Sequence, residues 1–111
     1  MKVEELIPRP KFKEPFALSS AKFIPEIAGC YVLSTIDGTV LYVGLANSLR
    51  RRQKQHLESS GKVEATVLGR ASFFNWLETE DINRVERTWL NCHVHSEGSL
   101  PILNKIYSPT N

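Results

Sequence analysis

The chain has 111 residues, 41% of them hydrophobic and 23% charged, which is ordinary for one small soluble globular domain with a modest core. No apolar run is long enough to span a membrane and no signal-peptide pattern is present, so a cytoplasmic protein is expected. A net charge of +2 and a pI near 8.6 are only mildly basic, so any argument about partners rests on where the charge sits.

Residues 1–28 hold Pro8, Pro10, Pro15 and Pro25, which resist regular structure. Phe12, Phe16 and Phe23 predict an arm that packs along the domain, while Lys2, Arg9, Lys11 and Lys13 leave room for a nucleic-acid contact. Gly29, Cys30 and Tyr31 open a predicted strand, and Leu41, Tyr42, Val43 and Gly44 close the next. Between them, Asp37 and Gly38 signal a two-residue type I′ hairpin turn. If Ile36 pairs with Thr39, Leu33 lies opposite Tyr42 and Tyr31 opposite Gly44. Tyr31, Leu33 and Tyr42 then share a face, with Gly44 leaving open space across from Tyr31. Cys30, Val32, Leu41 and Val43 point the other way, into core.

Ala46 to Ser60 reads as a helix started by Asn47 or Ser48 and stopped before Gly61. Leu49 and Leu57 are its strongly apolar residues, whereas Arg50, Arg51, Arg52, Lys54 and His56 place five potential cations in seven positions. Core burial alone poorly explains such a helix. Arg52 and His56, four apart, are neighbours on one side. Val63 to Gly69 is ambiguous between a short helix and an extended segment. Ala71 to Glu78 reads as a third strand, with Phe74 and Trp76 on one face and Phe73 and Leu77 on the other. Thr79 to Asp81 starts a second helix running to about Cys92, with Ile82, Val85 and Trp89 as its apolar stripe and Glu86 displaced from it. His93 and His95 read as loop histidines rather than zinc ligands, and Ser96 to Ser99 as loop. Cys30 and Cys92 lack metal-type spacing and read as buried free thiols. No repeat or low-complexity segment is present.

Tyrosine, arginine and histidine clustered with basic charge are what phosphodiester chemistry requires. At this point the chain resembles the GIY-YIG nuclease domain family. Gly29, Cys30, Tyr31 matches the first motif with Cys for the usual Ile, and Tyr42, Val43, Gly44 matches the second. The likeness continues through Asn47, Leu49, Arg52, His56, Glu86 and Asn104, covering about residues 27 to 106. Either tripeptide alone is weak; the ordered set is specific.

The resemblance implies an α/β (α+β) fold with a three-stranded antiparallel sheet flanked by helices. It divides the chain into a proline-containing arm (1–26), a nuclease domain (27–107) and a tail (108–111). The implied activity is metal-dependent endonucleolytic hydrolysis of nucleic acid, DNA ahead of RNA, through one Mg²⁺ or Mn²⁺ ion. Tyr42 resembles the catalytic tyrosine that takes the water's proton, although a free phenol with a pKa of ~10 is a poor base at neutral pH. Arg52 matches the catalytic arginine, whose planar guanidinium grips two phosphate oxygens; its plain alternative is a surface arginine. Glu86 is the implied metal ligand, a hard oxygen donor, against an exposed carboxylate paired with Arg87.

Tyr31 hydrogen-bonds near the phosphate or orients Tyr42, against simple aromatic contact. His56 orients Tyr42 or shares the base role, against a surface histidine. Asn104 resembles the terminal asparagine that helps fix the site, against a turn residue bonding its own backbone. Gly44, Asn47, Arg50, Arg51 and Lys54 are candidate substrate contacts.

One departure stands out. Many family members carry Lys directly after the second motif, where this chain has Leu45, removing a cation from beside the phosphate. A rival reading is therefore a catalytically weak nucleic-acid-binding module of the same fold. The added DNA-binding segment common in the family is not visible, which leaves low sequence specificity, a recruiting protein partner, or a homodimer with a second active site.

Overall fold

The computed structural model describes residues 1–104; the expected domain end at 107 and the tail at 108–111 lie outside the described residues. Its sheet is built from β1 (Phe12–Pro15), β2 (Gly29–Ser34), β3 (Val40–Ala46) and β4 (Phe73–Glu78) in the order β1-β4-β2-β3, with every neighbouring pair antiparallel. The sheet has four strands, not the three expected. The extra one comes from the proline-bearing arm, which pairs Phe12 with Trp76 and Pro15 with Phe73. An edge strand tolerates proline because only one of its sides needs backbone partners. Phe12 stacks on Trp76 with ring centroids 5.5 Å apart, so the aromatic residues of the arm also serve as strand contacts.

The hairpin joins Tyr31 to Gly44 and Leu33 to Tyr42, as side-chain alternation predicts, but its turn differs. The register shifts after Leu33, so Ser34 pairs with Val40 and the loop runs from Thr35 to Thr39. The Thr39 N–H donates to the Thr35 hydroxyl at 3.0 Å, and Asp37 accepts from both the Thr35 hydroxyl and Lys2. These local bonds outcompete the tight turn, and Gly38 at φ +90° closes the longer loop. The bulge resets alternation and turns Leu41 to the Tyr31 side.

Each face of the sheet has its own core. On one, Tyr31, Leu33, Leu41, Phe74 and Trp76 pack with Ile24 of the arm and Leu49. Leu49 opens α1 (Leu49–Leu57), which is shorter than the expected Ala46–Ser60. Ser48 caps it, its hydroxyl accepting from the Arg51 N–H. Its buried residues are Leu49 and Gln53, and Gln53 Nε2 donates to the Ala17 carbonyl at 2.8 Å. A polar tie to the arm thus replaces the apolar stripe the helix lacks. Gly61 does not stop this helix but sits inside a second short one, α2 (Ser60–Val63). The ambiguous stretch that follows is a turn closed by a Thr66–Gly69 bridge.

On the other face, Cys30, Val32, Val40 and Val43 pack with Leu6 of the arm under Val85 and Trp89. Those two belong to α3 (Ile82–Glu97), which continues past the expected end at Cys92 until Gly98 stops it at φ +79°. His93 and His95 are therefore helical rather than loop residues, and buried His93 has Nδ1 2.7 Å from the Ser99 carbonyl. Trp89 is fully buried and its indole N–H donates to the Pro8 carbonyl at 2.7 Å. Truncating such a residue to alanine costs about 3–5 kcal/mol. No helix among the described residues is long and apolar enough to cross a membrane.

Candidate active site

β3 is an edge strand, so residues near its Tyr42–Gly44 segment can be reached from both faces of the sheet. Tyr31 and Tyr42, diagonal across the β2–β3 ladder, have ring centroids 6.0 Å apart. Gly44 is what allows this. A Cβ there would sit 2.5 Å from the Tyr31 hydroxyl oxygen and 2.8 Å from Cε2 of Tyr42, so the space across from Tyr31 is filled by tyrosine rings rather than open. Gly29 is similarly required, since a Cβ would meet the Leu77 carbonyl at 2.5 Å and Leu49 of α1 at 2.8 Å.

That close approach of α1 brings two of its polar residues to the tyrosines. Nε2 of His56 lies 2.5 Å from the Tyr31 hydroxyl, and its ring meets that of Tyr42 edge-on at 5.4 Å. Arg52 Nη1 donates to the Leu45 carbonyl at 3.1 Å, which lays its guanidinium along the end of β3. Burial, followed by the charges of Lys62 and Arg52, pushes His56 down to about 4, so its imidazole is neutral at pH 7. Tyr31 is pushed well above its ordinary value, first by burial and then by Tyr42, with Arg52 opposing. Tyr42 is raised by burial, while the neighbouring Tyr31 hydroxyl and the Arg52 charge pull the other way. Both phenols are therefore protonated at neutral pH.

Glu86 approaches from α3 on the opposite face. Burial raises its carboxyl, Arg87 opposes, and its negative charge is felt at Tyr42 and Cys30. It makes no hydrogen bond or ion pair among the described residues. A half-buried carboxylate without a partner, beside a phenol, fits a hard divalent cation. Among the described residues no group of three or more His, Cys, Asp or Glu converges, so such an ion would take one protein carboxylate and fill its other positions with phosphate and water. Cys30 is not a competing ligand: burial and Glu86 push its thiol up to about 12, and it donates to the Ile82 carbonyl at 3.1 Å.

The Asn104 backbone N–H closes its own turn on the Pro101 carbonyl at 2.8 Å, but its side chain reaches away from that turn. Its Oδ1 accepts from the Val43 N–H at 2.8 Å and its Nδ2 donates to the Val43 carbonyl at 2.9 Å, clamping the edge strand one residue after Tyr42. The candidate substrate contacts divide. Arg50 is engaged internally, with Nε on the Ile24 carbonyl at 2.8 Å and Nη1 on Glu26 at 3.1 Å. Asn47, Arg51 and Lys54 are exposed. Sequence reasoning passed over Lys62 of α2, whose Nζ lies 4.6 Å from the centroid of the Tyr42 ring. The available signal was a cation just beyond a basic helix, in a stretch without periodicity.

Residues 27–92, more than half of the chain, match the model of a family described as the GIY-YIG catalytic domain. The chain belongs to the GIY-YIG family. Among curated proteins, it is similar to UvrABC system protein C of Lactobacillus delbrueckii subsp. bulgaricus, 41% identical over 39 residues, which are 35% of this chain and 6% of that protein. It is likewise similar to the proteins of that name from Symbiobacterium thermophilum, at 36% over 47 residues, and Geobacter metallireducens, at 40% over 47 residues. Each of those matches covers 42% of this chain and 8% of the relative, so the chain spans only a small part of the length of the curated relatives it matches. Within this GIY-YIG domain, Leu45 pairs with Cys30 and packs against the cluster under α3. Its apolar side chain serves as core cover where the family often places a lysine.

Proposed function

We propose that this GIY-YIG domain is a divalent-metal-dependent endonuclease that hydrolyses phosphodiester bonds, with DNA as the substrate class the family implies. The observation that carries the reading is the run Tyr42, Tyr31, His56, flanked by the Arg52 guanidinium and faced from the other side of the sheet by the unpaired Glu86 carboxylate.

Tyr42 is a protonated phenol and cannot act as a base without losing its own proton. The neutral His56 imidazole, hydrogen-bonded to Tyr31 and edge-on to the Tyr42 ring, is the neighbouring base towards which that proton can be drawn. The free imidazole is a weak acceptor. Two of the three causes that depress it are the charges of Lys62 and Arg52, and an anionic phosphate seated between them offsets both. Substrate binding thus strengthens the acceptor. Arg52 holds phosphate oxygens and meets the negative charge that develops at phosphorus. Mg²⁺ or Mn²⁺ held by Glu86 would supply Lewis-acid stabilisation of the phosphate and the leaving oxygen. Asn104 acts on β3 alone, holding Val43 so that Tyr42 keeps its place.

Leu45 favours a second reading, a nucleic-acid-binding module with weak turnover, because it removes a charge from the phosphate side. A supercoiled-plasmid assay with Mg²⁺ or Mn²⁺ decides between them. Wild-type cleavage that is lost in both Glu86→Ala and Arg52→Ala supports the nuclease. Salt-sensitive binding without wild-type cleavage supports the module, and cleavage that survives both substitutions points to another site or a contaminant.

A further inference from the structure

Several basic side chains of this molecule already have partners. Lys2 is paired with Asp37, Arg84 with Asp81, and Arg50 with Glu26 and the Ile24 carbonyl. Lys62 is different. It is half-buried, yet among the described residues it has neither an acidic partner nor a hydrogen-bond acceptor. Its ammonium stands over the Tyr42 ring at 4.6 Å, on the side of α1 and α2, where its charge and that of Arg52 both act on the neutral His56 imidazole. Burial pulls its pKa down, as expected of an ammonium whose lost water is not replaced by a counter-ion. The face of an aromatic ring attracts a cation, but weakly compared with an anion. An ammonium that acts with a second cation on one imidazole, and that has no carboxylate partner among the described residues, is a poor device for holding a fold together. It is a good one for receiving an anion.

We infer that Lys62 is a substrate-binding residue of this site, its ammonium contacting a phosphate group of the nucleic acid that lies against Tyr42. Its place explains how the site tolerates Leu45. That residue turns into the core under α3, whereas Lys62 reaches the same tyrosine from the face covered by α1. Positive charge at the phosphate is therefore supplied from a different element, by a residue outside both tyrosine motifs. A phosphate there is the counter-ion that Lys62 and Arg52 lack. The inference rests on the nuclease reading for its reaction, though not for the binding contact itself.

Lys62→Met tests it, because methionine keeps an apolar stem over the ring and removes only the charge. Lys62→Arg restores the charge. Binding of a fluorescein-labelled DNA duplex is measured against salt concentration in the absence of metal, alongside single-turnover cleavage of the same duplex with Mg²⁺. The expected result is a binding slope reduced by about one released counter-ion in Lys62→Met. Cleavage by that variant is expected to fall ~10–100-fold, with Lys62→Arg recovering most of both, in line with the loss of one charged contact to the reacting group. Unchanged thermal melting of Lys62→Met would show that the effect is not one of folding. A salt slope identical to wild type overturns the inference whether or not the protein cleaves. Wild-type binding without cleavage sinks the nuclease reading while the slope still decides the role of Lys62.

Discussion

The Tyr31 hydroxyl and Nε2 of His56 lie 2.5 Å apart, joining a strand buried in the sheet to the helix that carries the basic residues. With the imidazole held neutral down to about pH 4, the phenol donates and Nε2 accepts, which leaves Nδ1 carrying the ring proton. Protonation of His56 breaks this arrangement. Because its pKa is lower in the folded chain than the ordinary 6.5, stability is fully present above about pH 6.5 and is lost as pH falls towards 4. The loss is on the order of 3 kcal/mol. Thermal melting across that window checks it, with His56→Gln expected to flatten the slope; an equally steep slope in the variant would assign the pH dependence elsewhere. The Lys62→Met variant should raise the His56 pKa, read by NMR titration of its ring protons.

Gly44→Ala should do more damage than its one methyl group suggests. The added Cβ collides with both Tyr31 and Tyr42, and neither ring can yield without leaving His56 or the edge of β3. Overpacking of this kind costs about 1–3 kcal/mol, and misplacing reacting groups by an ångström lowers rates ~100-fold. Melting and single-turnover cleavage, measured together, should show the larger effect in the rate.

Asn104 and Val43 exchange two hydrogen bonds across 61 positions of sequence. Asn104→Ala leaves both backbone groups of an edge strand without that partner, costing ~1–3 kcal/mol. Asn104→Asp keeps an acceptor for the Val43 N–H but sets a carboxylate against the Val43 carbonyl, and should be no better. Hydrogen exchange at Val43 reads this directly. Protection unchanged in both variants would rule out the clamp.

Three basic residues of α1 should separate cleanly. Arg50→Ala should lower the melting temperature with little change in the salt dependence of DNA binding, because its guanidinium is spent on Ile24 and Glu26. Arg51→Ala and Lys54→Ala should behave in the opposite way if these exposed cations meet phosphate, each lowering the salt slope by about one. The comparison is made by titrating one duplex at several salt concentrations with all three variants. A large change of slope in Arg50→Ala would mean that its internal bonds open on binding.

Much of this arrangement is legible in the sequence because it depends on short-range rules. Alternation along two adjacent strands is enough to pair Tyr31 with Gly44 and to put Tyr31 and Tyr42 on one face, even though the turn between them is longer than the Asp37-Gly38 pair implies. The four-residue spacing of Arg52 and His56 on a helix needs only the helical repeat, and Ser48 marks the start of that helix by its capping chemistry. Leu41 shows the limit. Hydrogen bonds among Thr35, Asp37 and Thr39 insert a residue into the loop, and the alternation that placed Leu41 with Val43 is reset.

What only the tertiary structure decided involves partners remote in sequence. Phe12–Pro15 became a strand because β4 offered it an edge, which no reading of four prolines could supply. Asn104 found Val43, Arg50 found Ile24, and Lys62 found the ring of Tyr42. Local sequence specifies side-chain spacing within an element, whereas burial and charge fields arise between elements. The sequence by itself therefore determined the family, the tyrosine-bearing hairpin and the basic helix. Folding decided that the His56 imidazole is neutral, that Glu86 is left without a partner among the described residues, and that a lysine likewise unpaired among them stands over the tyrosine.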